Sequence, residues 1–296
     1  MARHIASAAL TPLVQGLAFP EGPRWHDGAL WCADIADGRV LRIGSDGAVD
    51  VVVDGIPGVS GLGWLPDGRM LAVAGEQRAL LRQASSGWQL HADLAPLVPA
   101  DCNDMVVDAQ GRAWVGNWGF DFLADARPAT TVIVRVDPDG RAQAVADGMF
   151  FPNGSVVTPD GRTLIVAETY RGQLTAFDIA DDGTLSPRRA WAALAEAKPD
   201  GICLDAEGAI WLASPPTRQV LRVREGGEIT HRVDVPGDAV ACMLGGTDRR
   251  TLFTLSVPLF AAAGSAHRFN DKATLRAVRG GRIDRMQVDV PGAGWP

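Results

Sequence analysis

Residues 153–169 read NGSVVTPDGRTLIVAET, and the fold is indicated by this segment and its repeats. It contains a short apolar strand, a Pro-Asp-Gly turn and a second apolar strand, which is the pattern of a tight β-hairpin. The pattern recurs with its turn glycine at positions 28, 68, 111, 161 and 208, and with Arg249 in place of a sixth glycine. The intervals are 40, 43, 50, 47 and 41 residues. Six hairpins at this spacing indicate a repeat protein.

A second hairpin with an Asp-Gly or Gly-Gly turn follows each first one. Examples are residues 38–55, 131–148, 172–192, 218–236 and 273–291. Each repeat therefore holds about four antiparallel strands, which is the content of one propeller blade. The sequence predicts an all-β, six-bladed β-propeller with four antiparallel strands per blade. Residues 1–296 are predicted to form a single domain.

The N-terminal segment has a predicted role in closing the ring. Residues 10–19, LTPLVQGLAF, are expected to supply the outer strand of the last blade, because an open ring would expose two sheet edges. Only residues 190–197, AWAALAEA, have a helical composition, and the loop before the fifth blade is an equally good interpretation of them.

Composition and charge exclude several classes of partner. The net charge is −7 and no run of basic residues occurs, so nucleic acid and anionic membrane surfaces are poor partners. No apolar stretch reaches the roughly 18 residues that span a bilayer, and the N-terminus lacks a convincing signal-peptide core. A cytoplasmic protein is predicted. The four cysteines have no CxxC spacing and are interpreted as buried thiols.

Residues that open the innermost strand of each blade should meet near the channel axis. The residue eight positions before the turn glycine is Ser60, Asn103, Asn153 and Asp200 in the second to fifth blades, and Ala241 in the sixth. Glu21 lies seven positions before the first turn glycine. Two carboxylates with two amide oxygens suit Ca²⁺, Mg²⁺ or Mn²⁺ better than a structural zinc. The alternative is that Asn and Asp simply start these strands or form Asx turns.

Several motifs carry a resemblance to a known family. They are FPEGPRW (19–25), the ND-VVD-GR pattern of residues 103–112, FPNG with TPDGRTL (151–164), PDGICLDAEG (199–208) and ACMLGG (241–246). In this order they resemble the SMP-30/gluconolactonase family, over residues 17 to 257. The resemblance implies a six-bladed propeller that holds one divalent metal ion at the top of its channel. Many members of that family hydrolyse sugar lactones.

The resemblance also implies roles for individual residues. Glu21, Asn153 and Asp200 fall on the metal ligands, and Asp200 also falls on the proton-transfer carboxylate. Asn103 falls on a residue that contacts substrate close to the metal.

Two positions depart from the best-studied sugar lactonases. Asp101 stands where those enzymes have an arginine that contacts substrate hydroxyls, and Asp121 stands where they have a glutamate. Asn103, Asp101, Asp121 and Trp118 are predicted to bind substrate. Trp118, with Phe120 and Phe122, forms either a pocket wall or a loop that packs on the next blade.

The resulting hypothesis is a divalent-metal-dependent hydrolase that opens a lactone, either a sugar lactone or a related cyclic ester. A metal-activated water would attack, with Asp200 as general base. One Ca²⁺ ion is the first choice of cofactor, with Mg²⁺, Mn²⁺ and Zn²⁺ as alternatives. The expected partner is a small-molecule substrate, neutral or cationic rather than anionic because of Asp101 and Asp121. A monomer or weak homo-oligomer is expected.

Two other functions remain open from the sequence. A phosphoester or phosphonate hydrolase could use the same metal and carboxylate. A non-catalytic ligand-binding propeller with a structural metal is the third reading, because a fold alone does not fix a function.

Overall fold

The computed structural model describes residues 2–122, 126–258 and 272–294. Two strands precede the first blade, β1 (Arg3–Ile5) and β2 (Thr11–Leu17), with a short 3-10 helix at Ser7–Ala9 between them. Six sheets then follow around a central channel.

The first three blades each pair four strands antiparallel in chain order, from the channel outward. Their strands are β3 (Pro20–His26), β4 (Ala29–Asp34), β5 (Arg39–Ile43) and β6 (Val49–Asp54) in blade one, β7 (Val59–Trp64), β8 (Met70–Ala74), β9 (Ala79–Ala84) and β10 (Gly87–Asp93) in blade two, and β11 (Cys102–Val107), β12 (Ala113–Asn117), β13 (Thr131–Val136) and β14 (Ala142–Met149) in blade three.

Blades four and five repeat this order, and blade six has three strands in the same order from the channel outward. Their strands are β15 (Pro152–Val157), β16 (Thr163–Glu168), β17 (Gln173–Asp178) and β18 (Arg189–Ala193) in blade four, β19 (Ile202–Leu204), β20 (Ile210–Ser214), β21 (Gln219–Val223) and β22 (Ile229–Asp234) in blade five, and β23 (Asp238–Gly245), β24 (Thr251–Val257) and β25 (Gly281–Gln287) in blade six. A 3-10 helix at Pro215–Thr217 follows β20, and helix α1 (Lys272–Val278) precedes β25.

Strand β2 pairs antiparallel with β25 and is the outermost strand of blade six. The first and last parts of the chain therefore share one sheet. The innermost strands β3, β7, β11, β15, β19 and β23 contact one another in sequence, and β23 contacts β3. The six-bladed β-propeller with four antiparallel strands per blade is confirmed. Blade five has a fifth strand, because β1 pairs parallel with β22.

The hairpin turns explain why glycine recurs in the repeat. Gly161 has a φ of +72° in the turn between β15 and β16, a conformation that residues with a Cβ rarely adopt. Arg249 adopts the same left-handed region, with a φ of +57°, in the blade-six turn that lacks the glycine. Blade six therefore keeps the turn although arginine replaces the glycine.

One local expectation was wrong, and a second segment was open between two interpretations. Residues 273–291 do not form a hairpin, since α1 and β25 occupy them. Blade six receives its outer strand from β2, so this segment needs to supply only one strand, and its Ala, Leu and Arg residues favour a helix. Residues 190–193 belong to β18, and residues 194–197 lie outside helices and strands, as the loop interpretation predicts for them. In β18 the sheet edge overrides the helical composition.

The core lies between neighbouring blades. Apolar side chains from facing sheets form clusters, and Trp114 and Trp211 are fully buried in two of them. All four cysteines are buried and free, as expected from their spacing.

Candidate active site

The residues predicted to meet at the axis lie at irregular points of the inner strands. In β15 the pairing with β16 shifts register between Pro152 and Ser155, on either side of Asn153. Equivalent shifts follow Glu21 in β3 and include Asn103 in β11. Such irregularities re-aim side chains out of the regular ladder. The shift therefore explains how polar side chains turn into the channel at the start of otherwise apolar strands.

A glycine after the polar residue lets adjacent inner strands approach closely. A Cβ atom at Gly154 would lie 2.6 Å from the backbone nitrogen of Ile202 in blade five. A Cβ atom at Gly201 would lie 2.5 Å from the Cβ of Ala241 in blade six. The pairs Asn153-Gly154 and Asp200-Gly201 thus couple a side chain in the channel to tight contact between blades.

Hydrogen bonds join the blades around these residues. The Ser60 hydroxyl donates to the Asn103 carbonyl oxygen at 2.9 Å, and the Thr169 hydroxyl donates to the Pro199 carbonyl oxygen at 2.8 Å. The side chain of Asn153 hydrogen-bonds the Asp200 carboxylate, and its Nδ2 lies 3.3 Å from the Thr169 hydroxyl. Residues from successive blades thereby fix one another at the axis.

Glu21 and Asp200 form an electrostatically strained pair. Burial raises the pKa of Glu21 well above its ordinary value, and the charge of Asp200 raises it further. Burial also raises the pKa of Asp200, followed by the charge of Asp104, while the hydrogen bond from Asn153 opposes the shift. Two buried carboxylates without a bound cation are costly to keep ionised.

Arg24, whose positive charge acts on Glu21, is already bonded to a third carboxylate. Arg24 is buried, and its Nη2 lies 2.7 Å from Asp104 Oδ1. It also donates to the carbonyl oxygens of Pro23 and Met105. Arg24 therefore balances Asp104 beneath Glu21 and Asp200, and leaves that pair in need of another cation.

A cavity of about 330 Å³ opens over these residues. Glu21, Asn103, Asn153 and Asp200 all line it, and we call these four the polar floor. Asp101 and Trp118 line the same cavity. Six of the seven residues predicted as site residues therefore lie together.

Asp121 is exposed and lies in an outer cleft that Asp101 and Trp118 also line. Burial raises the pKa of Asp101, and the charge of Asp121 raises it further. Asp101 therefore lies at the side of the cavity, and Asp121 lies in the cleft outside it.

Four aromatic rings form one side of the cavity, and we call them the aromatic wall. They are Trp118, Phe122, Phe151 and Tyr170. The rings of Trp118 and Phe151 lie nearly parallel, with centroids 6.2 Å apart, and Tyr170 lies 5.2 Å from Phe151. Phe120 supports the wall from behind, 5.9 Å from Phe151. Sequence reasoning proposed Trp118 and Phe122 as wall residues but missed Phe151 and Tyr170.

Phe151 reaches the wall from a strained backbone. Its φ is +59°, an unfavourable value for a bulky residue. The buried Glu168 carboxylate braces this turn, because it accepts the Phe150 backbone N–H at 2.7 Å and pairs with Arg171 at 2.8 Å.

A simple spacing rule would have found part of the missed lining. The residue seven positions after the turn glycine is Ile35, Gly75, Trp118 and Pro215 in blades one, two, three and five, and each lines the cavity. In blade four the offset is eight, at Thr169, next to Tyr170. These positions directly follow the second strand of each blade.

Among the residues that the structure describes, no histidine lines this cavity, and Cys102 is its one cysteine. Burial raises the pKa of the Cys102 thiol to about 12, so it stays protonated near neutral pH. His26 stacks on Trp64 with centroids 3.9 Å apart, outside the cavity. Within the described ranges, no three His, Cys, Asp or Glu side chains cluster as a metal site, so an ion would need the amide oxygens. No helix in the described part of the chain is long and apolar enough to cross a bilayer.

Residues 19–257 match the SMP-30/gluconolactonase/LRE-like region. The chain belongs to this family. Its relatives include pentonolactonase XacC of Haloferax volcanii, which is 28% identical over 240 residues, 79% of either chain. The 6-deoxy-6-sulfogluconolactonase of Pseudomonas putida is 28% identical over 246 residues, 80% of this chain and 82% of its own.

A solved structure of similar sequence has the same fold. It is a gluconolactonase from Xanthomonas campestris, with a TM-score of 0.71 and 27% identity. The superposition covers 96% of this chain and 89% of the other. Family membership therefore agrees with the propeller and with the resemblance noted in the motifs.

Proposed function

We propose that this protein is a lactonase, in which Asp200 acts as general base and Glu21, Asn153 and Asp200 hold one divalent cation. The observation that carries the proposal is the polar floor, where the buried Asp200, the half-buried Glu21 and two amides line a cavity with largely apolar sides. The lactonase activity of the relatives supports the same reaction class.

The donor set of the floor fits a hard divalent cation. All candidate ligands are carboxylate or amide oxygens, which Ca²⁺ prefers, and Mg²⁺, Mn²⁺ and Zn²⁺ are the alternatives. Such a cation would offset the electrostatic repulsion between Glu21 and Asp200. When bound, the cation supplies Lewis-acid polarisation of a carbonyl and stabilises negative charge on its oxygen.

Asp200 is the proposed proton-transfer residue. It accepts a proton from a water whose oxygen attacks the lactone carbonyl carbon, and returns that proton to the ring oxygen as the acyl C–O bond breaks. The product is a hydroxy acid, which releases one proton to solvent near neutral pH. Burial strengthens Asp200 as a base, and the hydrogen bond from Asn153 fixes its orientation.

The remaining cavity residues position the substrate. Asn103 lies on the floor, where its amide can orient the lactone ring, and its Nδ2 contact with the Pro152 carbonyl oxygen is long, at 3.4 Å. Trp118, Asp101 and Asp121 contact the rest of the substrate. We also propose that residues 1–296 act as one propeller domain, located in the cytoplasm, as a monomer or weak homo-oligomer.

The test is acid release measured with a pH indicator across a panel of lactones. We expect turnover that a chelator abolishes and that added Ca²⁺ restores. Chelator-resistant turnover would contradict the role of the cation, and turnover of a phosphotriester but no lactone would contradict the reaction class.

Glu21→Gln tests the ligand assignment separately. The variant should bind Ca²⁺ at least about tenfold more weakly by calorimetric titration, because it lacks one of the two carboxylate charges. Glu207→Gln, at an exposed side chain that pairs with Arg222, is the control. Unchanged affinity in Glu21→Gln would exclude Glu21 as a ligand.

A further inference from the structure

Four hydrogen-bonding side chains of the cavity form the polar floor. Beyond it, the hydroxyls of Ser60 and Thr169 already donate to backbone carbonyl oxygens. A sugar lactone carries several hydroxyls, and each one buried without a partner weakens binding. Above the floor, Glu76 and Lys272 pair with each other, so Asp101, Lys198 and the Tyr170 hydroxyl are the other polar groups of the lining there.

The aromatic wall offers a large preformed apolar surface instead. Phe122 packs edge-on against both Trp118 and Phe151, with centroids 6.0 Å and 5.6 Å apart. Phe19, Ile35 and Leu275 add apolar surface to other parts of the lining. A cavity of about 330 Å³ with such walls and a few convergent polar groups is typical of small-molecule sites.

The strained backbone of Phe151 strengthens the case for a ligand contact. A bulky residue at a φ of +59° persists only where its surroundings hold it, and such residues cluster at ligand sites. The bonds from Glu168 to Phe150 and Arg171 provide that support.

The charge around the cavity excludes anionic substituents. Asp101 and Glu76 line it above the floor, and Asp121 stands in the adjoining cleft. Of the two cavity lysines, Lys272 is paired with Glu76, and Lys198 is exposed. No arginine occurs among the lining residues that the structure describes.

We propose that the lactone taken by this site carries a neutral hydrophobic substituent, an alkyl chain or an aryl ring, which packs on the aromatic wall. Polyhydroxylated and anionic lactones are then poor substrates. This inference rests on the proposed hydrolysis at the polar floor and adds the substrate class.

The kinetic test compares lactones that differ only in the substituent. The panel contains γ-butyrolactone, its γ-alkyl derivatives up to hexyl, a γ-phenyl derivative and two polyhydroxylated lactones. We expect kcat/KM to rise about fourfold per added methylene until the wall is covered. Polyhydroxylated lactones that react faster than the hexyl derivative, or a flat response to chain length, would overturn the inference.

Variants of the aromatic wall test whether it contacts the substituent of the lactone. Trp118→Ala and Phe122→Ala should each lower the ratio of kcat/KM between the hexyl and unsubstituted lactones about tenfold. Trp118→Leu is the milder replacement if Ala disturbs folding. Trp88→Ala, at a half-buried tryptophan of β10 outside the cavity, is the matched control and should leave the ratio unchanged. Unchanged ratios in all wall variants would contradict the proposal.

Binding of non-hydrolysable γ-lactams separates this inference from the proposed function. Calorimetry should give tighter binding for the hexyl lactam than for a hydroxylated one. If no lactone is hydrolysed but this order holds, the proposed function fails and the substrate-class inference stands. If lactones are hydrolysed and the order is absent, only the inference fails.

Discussion

The polar floor and the aromatic wall belong to one cavity but arise from the repeat in different ways. Each floor residue comes from a different blade, at matching positions near the start of the inner strands. The wall comes from only two neighbouring blades, with Trp118 and Phe122 in blade three and Phe151 and Tyr170 in blade four. The proposed chemistry therefore draws on matching positions of four blades, whereas the proposed specificity comes from residues of two blades, of which Trp118 also lies at a repeated position.

The floor and the wall are each energetically unfavourable in one respect, and the two respects differ. On the floor the cost is electrostatic, because burial and mutual repulsion raise the pKa of Glu21. In the wall the cost is conformational, because Phe151 has a positive φ. Changes on the floor should therefore alter turnover and charge balance, whereas changes in the wall should alter selectivity and local strain.

The largest effect is expected from Asp200→Asn on the floor. The amide cannot accept the water proton, so kcat should fall about 10³-fold on the best lactone substrate. Acid release measured at saturating substrate checks this, with circular dichroism to verify the fold. Asp178→Asn, at an exposed aspartate of β17, is the control and should retain activity. Full turnover by Asp200→Asn would remove Asp200 as the base.

The next effect concerns the charge balance beneath the floor. Arg24→Met leaves Asp104 buried and unpaired near two other carboxylates, so the free energy of unfolding should fall by about 3–5 kcal/mol. Arg24→Met combined with Asp104→Asn should recover most of this loss in urea denaturation.

The exposed pair Arg224–Glu228, with an N–O distance of 3.2 Å, is the control for Arg24. Arg224→Met should cost about 0–1 kcal/mol. A loss at Arg24 no larger than the loss at Arg224 would show that the floor does not depend on this buried cation.

The floor could be located from the sequence because its residues lie at a nearly constant number of positions before the turn glycine of each repeat. Counting back from the turn glycine to Asn103, Asn153 and Asp200 requires only that equivalent positions in different blades converge. In blade six Arg249 keeps the turn without a glycine, but the counted residue is the apolar Ala241, which is not among the lining residues.

The wall could be located only in part, for physical reasons. Trp118 directly follows the second strand of its blade, seven positions after the turn glycine, where counting along the repeat also works. Phe151 enters through a backbone conformation that is disfavoured for phenylalanine, so no propensity argument predicts it. The helix α1, which carries Leu275 and Lys272 to the cavity, lies in a segment whose alternating apolar pattern suggested a hairpin.

A smaller effect is expected from Asp101→Asn at the side of the cavity. Removing this charge should raise kcat/KM for an anionic lactone relative to a neutral one, by about three- to tenfold at low salt. The gain should shrink as ionic strength rises, because Asp101 is only half-buried. Asp50→Asn, at an exposed residue of β6, should leave the ratio unchanged. A gain that appears for both variants would reflect net charge rather than the cavity.

The smallest effect separates strain in the wall from ring contact. Phe151→Ala and Phe151→Gly both remove the ring and should reduce selectivity for the hexyl lactone equally. Only glycine adopts a φ of +59° without steric cost, so Phe151→Gly should be about 1 kcal/mol more stable than Phe151→Ala in urea denaturation. At Ala167, inside β16, glycine should instead be less stable than the wild-type alanine. Equal stability of the two Phe151 variants would mean that the backbone relaxes once the ring is gone, and that the ring itself holds the strained conformation.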